Sequence, residues 1–160
     1  MKRLLVLVLC GLLVSCGGDS PSEPAIASGP ANTYESIAGT YTGALMSVSQ
    51  GVTLSANFSL TLVQTVGSLS GSFRLTGTLD DGIIQASVLG SGTVTGTVDP
   101  GSNPSVSVTM TPEGCPDAAV TWSGAYTSAN GLLTISGVAN IFDAACVVFL
   151  TYEGTMILDR

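Results

Sequence analysis

From Ser36 onward the chain alternates apolar and polar residues with a period of two, and nothing constrains its fold more. Leu54, Ala56, Phe58, Leu60 and Leu62 alternate with Thr53, Ser55, Asn57, Ser59 and Thr61. Leu69, Gly71, Phe73, Leu75 and Gly77 repeat the pattern against Ser70, Ser72, Arg74 and Thr76. Val106, Val108 and Met110 do the same, as do Val120, Trp122, Gly124 and Tyr126, and a final series through Val148, Leu150, Tyr152, Met156 and Leu158. Side chains two apart share one face of a strand, so each run reads as a strand with one apolar face, and no segment shows a helical period. Eight runs can be placed, near residues 37–48, 52–66, 68–79, 83–98, 104–111, 119–127, 131–141 and 146–159.

The punctuation between runs is hairpin chemistry. Asp81-Gly82 and Asn130-Gly131 suit tight turns that need positive φ, and Gly67 and Asp99-Pro100-Gly101 serve similarly. The connections are too short for helical crossovers, so successive runs should pair antiparallel. Glycines within the runs, among them Gly39, Gly43, Gly71, Gly77, Gly92, Gly96, Gly124 and Gly154, weaken a flat strand but allow sharp coiling. These features predict an all-β domain, an eight-stranded antiparallel up-and-down β-barrel in which every edge is paired; the runner-up is a two-sheet β-sandwich. Period two does not say which face points inward. A membrane-spanning barrel would turn the apolar face outward, but the aromatics form no two girdles and the sequence ends on Arg160. An apolar interior is therefore expected.

Ahead of the alternation lie two segments of different character. Lys2 and Arg3 precede an apolar stretch from Leu4 to Val14, too short to span a ~30 Å hydrocarbon core and suited to a secretory signal. Leu13-Val14-Ser15-Cys16, followed by Gly17-Gly18, resembles the lipobox of bacterial lipoproteins. That resemblance implies a signal peptide at 1–15, removal of which leaves Cys16 acylated as the mature N-terminus. Gly17 rather than Asp in the second mature position is similar to lipoproteins sorted to the outer membrane. Lipidation contributes ~0.8 kcal/mol per buried CH₂, and two or more chains make attachment stable. Residues 16–35, with Pro21, Pro24 and Pro30 among Ser, Gly and Ala, read as a flexible tether reaching roughly 25 Å or more. The barrel domain is then expected at 36–160, held in the periplasm or at the cell surface, and as a monomer.

Composition narrows the function. Without Lys2 and Arg3, only Arg74 and Arg160 stand against the sequence's eleven acidic residues, and there is no histidine. Binding polyanions needs cations, so nucleic acid is not an expected partner. The missing histidine removes Ser-His-Asp, Cys-His and the usual zinc chemistry. No enzyme, cofactor or metal is expected; a pair of carboxylates would be the only catalytic route left. Cys115 and Cys146 remain as a pair in an oxidising compartment. In an up-and-down barrel the fifth and seventh connections lie at one end, which brings these cysteines together as an expected disulfide. Asp80, Asp81, Glu113, Asp117 and Asp143 fall at that same end, as turn-forming residues or as a lure for cations.

A second resemblance concerns the opposite end. Gly39 and Tyr41 match the Gly-x-aromatic spacing that opens strand one in lipocalins and their calycin relatives, where a basic residue from the barrel's end packs on the aromatic. Arg160, on the inward parity of Leu158, is the counterpart; tyrosine stands in place of the family's tryptophan. The resemblance implies a barrel closed at this base, with a calyx for a small apolar ligand. Inward Phe58, Leu60, Phe73, Leu75, Met110, Trp122 and Tyr152 are then the candidate lining, and the inward glycines suggest empty volume. A barrel filled solid, with no cavity above ~100 Å³, would exclude this reading, since small-ligand pockets are ~300 Å³ or more. The competing expectation is a filled barrel that serves as a structural or protein-interaction module of the envelope.

Overall fold

The computed structural model describes residues 33–160; the signal segment, Cys16 and residues 17–32 of the tether lie outside the described residues. Eight strands follow one another: β1 Gly39–Ser49, β2 Val52–Thr65, β3 Ser68–Asp80, β4 Gln85–Val98, β5 Ser105–Pro112, β6 Val120–Thr127, β7 Leu132–Phe142 and β8 Val148–Asp159. Each pairs antiparallel with the next, and β1 pairs with β8, so the sheet closes into an up-and-down barrel. The closing seam is short, Thr42–Ala44 against Ile157–Asp159. One turn of 3₁₀ helix, Pro116–Ala118, interrupts the β5–β6 connection.

The turns follow from the residues in them. Gly82, Gly101 and Gly131 adopt φ of 84°, 128° and 71°, conformations that a Cβ disfavours. The Asp81 carboxylate accepts the Ile83 and Ile84 amides at 2.8 and 2.7 Å, and Asn130 accepts Leu132 at 3.2 Å. Those two amides hold the Asp81 carboxyl below its usual range. Asp143 likewise accepts from Ala145 and Val147, at 2.9 and 3.0 Å. These acidic residues tie their own loops.

The apolar parity points inward, opposite to a membrane-spanning barrel. Tyr41, Leu45, Leu54, Leu60, Val94, Val108, Trp122, Ile135, Met156 and Leu158 are all buried, with no polar or charged residue classed as buried among those described. The outer wall carries hydroxyl pairs between neighbouring strands, Thr40–Thr61, Thr109–Thr121 and Ser136–Thr155 at 3.2, 3.0 and 2.7 Å. No helix among the described residues is long and apolar enough to cross a membrane.

Glycine has a different role from the one its inward position suggests. A Cβ on Gly71 would fall on the Thr61 carbonyl oxygen, and one on Gly124 on that of Thr134. The neighbouring backbone occupies the place where a side chain would stand. At these two positions the glycines let strands coil tightly and add no empty volume, whereas Gly90 has only the Leu75 Cβ, at 3.8 Å, near the place of a Cβ. Gly137 works similarly, its face covered at 2.7 Å by the indole of Trp122, its cross-strand partner.

One buried group is left unsatisfied. The Tyr152 hydroxyl is shielded from solvent and has no hydrogen-bond partner among the described residues, and desolvation raises its pKa. A stranded buried polar group costs about 1–3 kcal/mol. Tyr152→Phe is therefore expected to raise stability by about 1 kcal/mol, or Tm by about 4 °C for a domain of this size, in thermal denaturation followed by circular dichroism.

Candidate functional site

The two ends of the barrel differ. At the end where β1 begins, residues 33–38 cross beneath the strands and close it. Gln64 reaches out of β2 to fix this segment: its Oε1 accepts the Ile37 amide at 2.8 Å and its Nε2 donates to the Glu35 carbonyl at 3.0 Å. Ile37 is completely buried. Tyr34 lies on Gly67 and bridges to Gly101, so the domain starts a few residues earlier than the alternation indicates, within the stretch expected to be tether.

Gly39, Tyr41 and Arg160 meet at this base. The Arg160 Nε lies 2.8 Å from where a Cβ on Gly39 would stand, and its guanidinium donates to the Ser36 carbonyl at 3.4 Å. Tyr41 donates its hydroxyl to the Ile37 carbonyl at 2.8 Å and meets Tyr126 edge-on, ring centres 6.4 Å apart. Burial pushes the Tyr41 phenol up to about 12, Tyr126 adds to this, and Arg160 pulls the other way. Above pH 10 the unfolded chain loses this proton while the folded protein keeps it. The stabilising contribution is therefore complete below pH 10 and declines as pH rises towards about 12. Alkaline denaturation should show that decline, with a shallower slope in Tyr41→Phe.

At the far end the interior is not filled. A cavity of about 540 Å³ occupies the upper barrel, with walls drawn from β3 to β7 and a floor of Leu45, Phe58, Met110, Trp122 and Met156. Phe58 and Phe73 stack with centroids 6.0 Å apart along one side. Of the candidate lining residues, Phe58, Phe73, Leu75, Met110 and Trp122 border this space. Leu60 and Tyr152 do not. Leu60 is wholly buried in β2, where it faces Tyr41 and Phe73 across the ladders, on the base side of Phe58. Tyr152 is buried on β8 opposite Ala139 and does not border the space.

Residues outside the candidate set complete the lining: Val88, Ser91, Glu113, Ala118, Val120 and Ile141 among them. Their common signal is position near one end of β4 to β7, which only the register reveals. Among the described residues Glu113 is the one carboxylate bordering the cavity, and it accepts a hydrogen bond from the Ser91 hydroxyl at 2.9 Å. Arg74 reaches its margin from the outer wall.

Cys115 and Cys146 are joined at this same end, their Cα atoms 5.5 Å apart. The bond links the β5–β6 connection to the β7–β8 turn, as the strand order requires. Cys146 Sγ also lies 3.4 Å from the Gly114 carbonyl oxygen. No group of three or more His, Cys, Asp or Glu side chains is placed to hold a metal among the described residues. Compared with known proteins, the chain matches no protein family, no curated protein and no solved structure.

Proposed function

We propose that this chain is a lipid-anchored envelope lipoprotein, held through Cys16, whose barrel binds a small apolar molecule without transforming it. The cavity carries the reading. At about 540 Å³ it exceeds the roughly 300 Å³ at which small-ligand pockets begin, and its walls are largely aliphatic and aromatic. Burial of apolar surface would supply the affinity, at about 25 cal/mol per Å² before the costs of ordering. The Leu13–Cys16 pattern and the short apolar segment before it support the anchor. Gly17 favours an outer-membrane destination, and the acidic balance speaks against nucleic acid as a partner.

Trp122 provides the test, because it is the only tryptophan and it borders the cavity. Titration with a brominated long-chain alcohol, whose bromines quench indole emission, should quench Trp122 saturably. Mass spectrometry of protein extracted from its native membrane should find a co-purifying apolar compound. Quenching that never saturates, together with an empty extracted protein, would sink the reading.

A further inference from the structure

The barrel's wall is not of even height. β3 and β4 stay paired up to Asp80 and Gln85, and β7 and β8 up to Phe142 and Val148. β5 meets β4 only between Gly92 and Val98, and β6 meets β7 only as far up as the Trp122–Gly137 pair. Residues 85–90 of β4 and 138–142 of β7 are therefore strand edges with no ladder partner on the facing side, while the Ser91 carbonyl still accepts the Glu113 amide at 2.8 Å. Two short strands separate them, so the notch spans three strand spacings, roughly 14 Å backbone to backbone.

The cavity meets this notch. Val88 and Ser91 line it from the β4 edge, Ala139 and Ile141 from the β7 edge, and Glu113 and Val120 from the sill between. The barrel's end offers no equal route on the other side, since Leu54 and Tyr152 are buried there at 0% and 1% exposure. Apolar side chains also flank the notch on the outside: Ile83, Ile84 and Leu89 at 91%, 67% and 77% exposure on the β3–β4 hairpin. Val147 and Phe149 stand exposed by the β7–β8 turn. The sill carries the 113–119 loop, which is fastened on both sides. Glu113 bonds to Ser91 of β4 through both its amide and its carboxylate, and Cys115 is bonded to Cys146.

We propose that the ligand passes sideways through the notch between β4 and β7, and that the Cys115–Cys146 bond sets its rate of passage by holding the 113–119 loop over the sill. This rests on the ligand-binding reading above. The route suits an extended or flat apolar molecule that slides in between the two strand edges. The loop is a bar across an opening that already exists. Freeing one of its fastenings should change kinetics more than affinity, because the strands supply nearly all of the cavity's walls and floor and only Glu113 and Ala118 of the lining belong to the loop.

Stopped-flow quenching of Trp122 by the brominated alcohol tests this, using the chain from residue 17 onward, whose barrel contains all its own strand partners. In Cys115→Ser/Cys146→Ser both association and dissociation are expected to quicken at least about fivefold, with Kd changed by no more than about twofold. Ala118→Phe, which thickens the loop where it borders the cavity, should slow both rates. It decides the matter alone if the serine variant does not fold. Saturable binding whose rates neither variant alters would overturn the sideways route and leave the binding reading standing. No saturable quenching in the unaltered chain would overturn both.

Discussion

Gly71→Val is expected to abolish the folded barrel. The new Cβ would coincide with the Thr61 carbonyl oxygen, and neither is a flexible side-chain tip that could swing aside. Overpacking that a core can absorb costs about 1–3 kcal/mol; displacing a ladder backbone should exceed that and consume much of a stability of about 5–15 kcal/mol. Gly90→Ala is the control. Its Cβ would meet only the Leu75 Cβ, at an ordinary 3.8 Å, so stability should change by less than about 0.5 kcal/mol. Urea denaturation of the two variants measures the contrast. Equal stabilities would show that close approach of the backbone is not what keeps Gly71 a glycine.

The second large effect concerns binding. Val120 borders the cavity from the sill of the notch, at the start of β6, and Ala139 from its β7 edge. Val120→Phe combined with Ala139→Phe should fill the upper barrel and weaken binding of the brominated alcohol by at least about a hundredfold, equivalent to about 2.7 kcal/mol. The two side chains are only half-buried, so room exists for the added rings and the fold should persist. Circular dichroism would confirm persistence, and Trp122 quenching would report the lost affinity. Unchanged binding would place the ligand elsewhere on the protein.

Much of the fold was legible because period two is a direct imprint of strand geometry. The runs near 52–66 and 68–79 coincide within a residue or so with β2 and β3, since Gly67 and the serines and threonines of the outer face leave little choice. Neighbour pairing, closure and the meeting of Cys115 with Cys146 then follow from counting turns. Volume was less legible. Leu60 and Phe58 share one face of one strand, yet one is packed solid and the other floors a cavity. The difference lies in how far β5 and β6 rise beside β4 and β7, and ladder overlap leaves no mark in the alternation of any single strand. Inward glycine is a mixed signal for a related reason: at Gly71 and Gly124 the missing side chain is replaced by the next strand's backbone, whereas Gly90 borders the cavity. Nor could the crossing of residues 33–38 beneath the base be anticipated, because it depends on Gln64, a polar residue on an otherwise alternating strand.

The short seam between β1 and β8 bears on how the molecule assembles. Seven of the barrel's eight joints link strands adjacent in sequence, so each can form as a hairpin with a small loop to close. The eighth must bring residues 42–44 to residues 157–159, at the largest loop-closure cost in the domain and with the shortest ladder in return. Joining first strand to last should therefore be the late, slow step of folding and the first to reverse. In native-state hydrogen exchange, amides along that seam should open while the β2–β3 and β3–β4 hairpins stay protected. The barrel behaves less like a rigid tube than like a rolled strip held by a narrow clasp.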